Sequence, residues 1–301
     1  MRTKCPNATV PDPRFTVDIA TETAEAFVLP PAGIPLADLR TLRLADGRGV
    51  HRRHLQARDD DAVLPLVTSA HLCCGLHAGD PVAIGRVARA LAARGVALGA
   101  HPSYPDLFGF GQVRMPLAPE DLEAAVLYQL GALAGVLRGC GATLAHLKCH
   151  GALAFDMAYD EAVCDVMTAA VRRFDPALVM VFMAASPGLE RARGQGMRVA
   201  AEGYIDRGYD SSGRLVPRDH PQALVSDPAA AARRALELVC EGCVTSVDGE
   251  RIPLQVDTLC LHADTAGAGP IARAVVDALT ARGVVLQPLE QVLQHRRSLP
   301  A

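Results

Sequence analysis

The sequence predicts an α/β fold with a parallel sheet of seven or eight strands, enough to close or nearly close a barrel. Three observations carry this expectation. Half of the 301 residues are hydrophobic but only 4% are aromatic, with no Trp, so the core is aliphatic, as when helices pack around a parallel sheet. From about Ala62 onward, short apolar runs alternate with longer stretches of helical period. The apolar runs are continuous, which is the pattern of strands covered on both faces.

FTVDIAT is the first strand candidate, and residues 29–58, rich in Pro, Gly, Arg and His and without period, read as an insertion or long loop after it. The apolar run inside LPLVTSAHLCCG is the second. VALGAH then precedes PEDLEAAVLYQLGALAGVLRG, TLAHLKCH precedes DEAVCDVMTAAVRRF, and ALVMVFMA precedes SPGLERARGQG. MRVAAEG, TLCLHAD and VVLQPL complete the strands. Asp80-Pro81 and Asp227-Pro228 each place an acid at a helix N-cap and a proline at the first helical position, where its missing N–H is harmless. Asp248-Gly249, between apolar stretches in TSVDGERIPL, signals a two-residue hairpin turn beside the barrel. The expectation is a single β/α barrel domain over residues 1–301.

A formal net charge of −3 supplies no basic footprint for a nucleic-acid backbone. The N-terminal MRTKCPNATVPDPRF lacks the apolar core of a signal peptide, and no segment reaches the roughly 20 apolar residues of a membrane span. A cytoplasmic protein without membrane or nucleic-acid partners is expected. The nine cysteines, an odd number scattered through apolar segments, fit reduced and buried thiols better than a disulfide framework.

In parallel β/α barrels the chemistry sits at the C-terminal ends of strands. Here the runs end in Glu22 and Glu25, in His77 and Asp80, in His101, in Lys148 and His150, in Glu202 and Asp206, and in His262 and Asp264. Any one of these can be a hydrogen-bonded structural residue. Together they gather bases, acids and an ammonium onto one rim. His77 and His101, with Glu22 or Asp80, would make a two-histidine, one-carboxylate site for a divalent transition metal. Equally, both imidazoles would bind substrate or act as general bases without metal. Lys148 and His150 share strand parity and suit an anion. Cys73 and Cys74 point to opposite faces, so at most one lines a site. Cys149, of opposite parity to its neighbours, reads as packing, and Cys240-Glu-Gly-Cys243 lacks the second pair of a zinc site.

At these residues the chain resembles the LamB/YcsF family, whose members are described as the A subunit of a bacterial ATP-dependent 5-oxoprolinase. The stretches that carry the resemblance are LPLVTSAHLCCGLHAGDP (64–81), GVALGAHPSYPDLFGFG (95–111), LYQLGALAG (127–135), HLKCHGALA (146–154), EGYIDRGYD with LVPR (202–218), SVDG (246–249) and DTLCLHAD (257–264). The resemblance implies an irregular seven-stranded β/α barrel, similar to glycoside hydrolase and deacetylase barrels. It also implies ring opening of 5-oxoproline to glutamate, with ATP as co-substrate and B- and C-like partner subunits. For that reaction the candidate catalytic residues are Glu22, His77, His101, Lys148, His150 and Asp264, with Glu25, Asp106, Glu202, Arg218 and His262 at the substrate, beside the set His77, His101 and Glu22 read from the strand ends for a divalent metal.

This chain departs from the family's pattern in places. The first strand of the family reads approximately DLNCDLGE, and here DIATETAE puts Ala20 for the asparagine, Glu22 for the central aspartate and Ala24 for the glycine. His71 replaces an asparagine, Cys149 a proline, Ala154 a tyrosine, Ala263 a glycine, and Gln112 and Val113 two arginines. His77, His101, His150, His262 and Lys148 remain. Beside the lactam hydrolase reading stand two others: a metal-dependent, deacetylase-like hydrolase acting alone, and a non-catalytic homologue binding a ligand or partner.

Overall fold

The computed structural model describes residues 15–25 and 59–298. The expected insertion at 29–58 lies outside the described residues. By contacts the chain divides into two compact units, one of Met1–Thr21, Asp59–Ser69 and Ala200–Ala301, the other of Glu22–Arg58 and Ala70–Val199.

The strands are β1 (Thr16–Thr23), β2 (Ser69–Cys73), β3 (Ala97–His101), β4 (Leu144–Lys148), β5 (Val179–Met183), β6 (Val199–Tyr204), β7 (Cys243–Thr245), β8 (Arg251–Pro253), β9 (Thr258–His262) and β10 (Val285–Leu286). Every strand expected from the apolar runs is present, and the fold class is the expected irregular β/α barrel, its seven full-length parallel strands being β1–β6 and β9.

In the second unit β2, β3, β4 and β5 lie side by side. β3 and β4 pair in parallel with a register shift between Leu98 and Gly99, and β4 pairs with β5 from His146↔Val179 to Lys148↔Val181. Helices Pro81–Ala92, Pro119–Gly139, Gly151–Tyr159, Glu161–Phe174 and Pro187–Gly194 belong to this unit. The Asp80 carboxylate accepts from the amides of Val82 and Ala83, both at 2.8 Å, so the acid-proline pair starts its helix as expected.

In the first unit β6 pairs in parallel with β9, and β1 with the two-residue β10. Asp227 caps its helix through the Ala230 amide. The hairpin exists, with β7 and β8 antiparallel, but its turn spans residues 246–250 and not two residues. The Ser246 amide donates to the Glu250 carbonyl at 2.8 Å, and the Gly249 amide to the Ser246 carbonyl at 3.0 Å, closing the longer loop with Gly249 at φ +84°.

Asp18, which with Glu25 survives from the family's first strand, ties this unit together. Its fully buried carboxylate accepts from the hydroxyls of Thr68 (2.6 Å), Ser69 (2.6 Å) and Thr258 (2.7 Å). Burial pushes the carboxyl up to about 6, against the pull of those three hydrogen bonds. Between the ordinary aspartate value and about 6 the folded state therefore holds more protons than the unfolded chain. Stability from this group is greatest below that window, declines as pH rises through it, and is flat above, for a loss on the order of 3 kcal/mol. Chemical denaturation of the wild type and of Asp18→Asn at pH 4.5 and pH 7.5 checks this. The wild-type minus variant stability should be larger at the lower pH, and a gap independent of pH would refute it.

Candidate active site

The second unit holds a buried polar cluster at its strand ends. Lys148, the last residue of β4, lies with Nζ 3.1 Å from Glu22 Oε1, and both side chains are nearly inaccessible. The same Glu22 oxygen is 3.5 Å from His101 Nε2, and His101 Nε2 is 2.9 Å from His150 Nδ1. His150 precedes the helix that begins at Gly151, and its ring stacks on His77 at 4.0 Å with an interplanar angle of 3°. Glu22, His77, His101, Lys148 and His150, expected on four strand ends, are thus brought together. The lysine charge has a carboxylate against it, so this is a balanced ion pair with imidazoles attached.

Each imidazole is oriented by a second partner. His101 Nδ1 donates to the Lys148 carbonyl at 2.7 Å. His150 Nε2 is 2.8 Å from the Phe110 carbonyl, with the Gln112 amide 3.0 Å from the same nitrogen. His77 Nδ1 is 2.8 Å from Ser103 Oγ, whose own hydrogen goes to the Tyr104 carbonyl at 2.7 Å. Ser103 in turn is clamped by Gln129, which accepts from its amide at 3.0 Å and donates to its carbonyl at 2.9 Å. That gives the buried glutamine of LYQLGALAG a purpose. Ser103, Gln129 and Gln112 were not singled out from the sequence as site residues; a buried glutamine in an otherwise apolar helix face was the available signal for one of them.

The adjacent cysteines separate as strand parity requires. Cys74 Sγ donates to the Leu72 carbonyl, and burial pushes its thiol up to about 12. Cys73, in contrast, sits 3.1 Å from His77 Nε2. Cys149 is packing, as expected, with its sulfur 3.5 Å from Met157 Sδ. Each of the described cysteines is a free thiol.

Two of the family departures acquire a physical meaning. Ala24 sits at φ +60°, in the left-handed region where a glycine costs nothing and an alanine costs about 1 kcal/mol. His71 is buried beside His146, their rings edge to face at 4.8 Å. Neither ring nitrogen of His71 has a hydrogen-bond partner among the described residues. Burial holds His71 well below the usual histidine range and lowers His146 to about 4, so both are neutral at pH 7. Gly99 makes the arrangement possible, because a Cβ there would come within 2.2 Å of the His146 ring.

The first unit has its own cluster. The Asp206 carboxylate lies 2.9 and 3.0 Å from His262 Nδ1 and accepts from the Thr265 hydroxyl (2.6 Å) and the His262 amide (3.1 Å). Burial pushes the Asp206 carboxyl up, but the His262 ring and these hydrogen bonds outweigh it and hold it down at about 2. Tyr204 stacks on His262 with ring centroids 5.8 Å apart. This is a carboxylate–imidazole dyad, with His262 fixed as the Nδ1–H tautomer and Nε2 as its basic nitrogen. Asp206 was legible as a strand-end acid, but its pairing with His262 was not.

Glu25, Glu202 and Asp264 are buried. Arg218 is half-buried on a loop, while the buried Arg207 holds that loop through the Val216 and Ala223 carbonyls. Asp106 accepts from the amides of Gly109 (2.8 Å) and Val113 (3.3 Å) in its own loop. Among the described residues no helix is long and apolar enough to cross a membrane.

Comparison with known proteins agrees with these observations. The A subunit of 5-oxoprolinase from Methylococcus capsulatus is 46% identical over 230 residues, covering 76% of this chain and 88% of its own. That from Mycobacterium avium is 44% identical over 244 residues, covering 81% and 95%. The crystal structure of a lactam utilization protein from Thermus thermophilus superposes with a TM-score of 0.76 at 39% identity, covering 90% of this chain and 99% of that one. The model of the LamB/YcsF family matches residues 46–294, and the chain belongs to the LamB/YcsF family.

Proposed function

We propose that this chain is the A component of an ATP-consuming enzyme that opens 5-oxoproline to glutamate together with B- and C-like subunits. The observation that supports it most is the buried line Lys148–Glu22–His101–His150, which keeps the lysine and histidines of the family in one connected cluster. The names borne by its relatives agree with this reading.

A five-membered lactam is a stabilised amide, and water alone attacks it poorly. Transfer of a phosphoryl group from ATP to the carbonyl oxygen activates the carbon. Water then adds, the protonated ring nitrogen departs to leave an acyl phosphate, and a second water releases phosphate and glutamate. Lys148 would hold the phosphoryl or carboxylate group, shifting from its bond with Glu22. His101 or His77 would position water, and Glu22, Glu25 or Asp264 would carry protons. His262, held by Asp206, is the best-oriented general base of the first unit, while Asp106, Glu202 and Arg218 would contact the substrate.

The test is reconstitution with cognate B- and C-like subunits, measuring glutamate from 5-oxoproline with and without ATP. Glutamate should form only when ATP and all three subunits are present. Turnover by this chain alone, without ATP, would favour a stand-alone deacetylase-like hydrolase. Retained ligand binding without any turnover would favour a non-catalytic homologue.

A further inference from the structure

We propose that His71 and His146 form a polar floor next to the Lys148–Glu22 pair, and that this floor recognises the amide edge of a small lactam ring. The inference rests on the lactam reading given above and names the residues that would select that substrate.

His71 lies on β2 and His146 on β4, both in the second unit, and each is only 1% exposed. His146 is two residues before Lys148, so the two side chains share one face of their strand. The His71 ring is 6.1 Å from that of His101, which places the pair beside the cluster already described. β3 runs between β2 and β4, and Gly99 on it leaves its side-chain space to His146, since a Cβ there would come 2.2 Å from Nε2. The Nε2 edge of His146 thus lies over β3, between its own strand and that of His71.

Neither nitrogen of His71, nor Nε2 of His146, has a hydrogen-bond partner among the described residues. A buried polar atom left in this way costs stability that an apolar ring of the same shape would not. Proteins keep such costs chiefly where function uses the group. Burial keeps both rings neutral at pH 7, so each offers one N–H and one lone pair. They carry no charge for an anion, and the lysine charge beside them is already set against Glu22 at 3.1 Å. Two imidazoles are also fewer than the three protein ligands usual for a catalytic zinc. What they suit is an uncharged group that donates and accepts side by side. The cis amide of a lactam ring is such a group, with C=O and N–H on one edge: one imidazole donates to the oxygen while the other accepts from the nitrogen. The asparagine of the family's pattern at position 71 also offers a donor and an acceptor, so the exchange for His71 keeps that chemistry and alters its reach.

The test is calorimetric binding to the full chain of 5-oxoproline, of 1-methyl-5-oxoproline, which lacks the N–H, and of cyclopentanecarboxylate, which keeps the ring and carboxylate but has no amide. The wild type should bind 5-oxoproline at least roughly 10-fold more tightly than either analogue. His71→Phe keeps a ring and removes both nitrogens. It should lose that preference and yet unfold at a higher denaturant concentration than the wild type, because two unpartnered buried atoms are gone. His71→Asn should recover part of the preference. No binding of 5-oxoproline by the wild type, equal binding of the three compounds, an unchanged preference in His71→Phe, or a lower unfolding midpoint for that variant would each overturn the proposal. The wild-type comparison decides the matter if His71→Phe misfolds. Glutamate formation by the reconstituted complex is scored separately. Preference without turnover would sink the lactam reaction and leave the floor, whereas turnover with an unchanged KM in His71→Phe would sink the floor and leave the reaction.

Discussion

Lys148→Met is expected to abolish lactam-dependent ATP turnover and to lower the stability of the chain by about 3–5 kcal/mol. Methionine fills the space of the lysine stem, so packing is nearly preserved and the change is chiefly one of charge. The Glu22 carboxylate, 3.1 Å from Nζ and buried, loses the cation that makes its burial tolerable. It must then take up a proton or leave the folded state strained. Glu22→Gln on top of Lys148→Met removes the stranded charge and should recover much of the stability without recovering turnover. The two readouts therefore separate. Denaturant midpoints report the ion pair, and coupled ADP release by the reconstituted complex reports the phosphate-holding role. Wild-type rates in Lys148→Met would end the role assigned to Lys148. A stability loss unrelieved by Glu22→Gln would end the ion-pair account.

The same cluster shows what the sequence could and could not reveal. Continuous apolar runs located all the parallel strands, because a strand covered on both faces has no polar alternation to obscure it. The strand-end rule then put Glu22, His101 and Lys148 at the right ends, and His77 and His150 just beyond theirs. What it could not supply was partnership. Parity placed Cys73 opposite Cys74, yet it says nothing about a chain that turns after Cys74 and returns His77 Nε2 to within 3.1 Å of Cys73 Sγ. Likewise Ser103 and Gln129 are 26 residues apart and meet only because a helix packs across the end of β3. Glu22 stood out as a strand-end carboxylate, but its pairing with the Lys148 ammonium at 3.1 Å could not be read from spacing. The hairpin turn was misjudged for a local reason: Asp248-Gly249 is a turn signal, but the Ser246 hydroxyl accepts the amides of Asp248 and Glu250 and so organises a wider loop.

Asp206→Asn should reduce kcat about 10²- to 10⁴-fold while changing KM little. The carboxylate is an acceptor only, so His262 must present Nδ1–H to it and keep Nε2 basic. An asparagine can turn its NH₂ toward Nδ1. The ring would then move its proton to Nε2, leaving no base where one is needed. Folding should suffer less than catalysis, because the amide oxygen can still accept from the Thr265 hydroxyl or the His262 amide. With Asp206 held down at about 2, the wild-type carboxylate is ionised throughout the working pH range and contributes no inflection of its own to the pH profile. Loss of the dyad should therefore appear as a lower plateau of the pH profile. Asp206→Glu, which keeps the acceptor but displaces it, should recover part of the rate. A kcat for Asp206→Asn within about twofold of the wild type would make the dyad a structural brace.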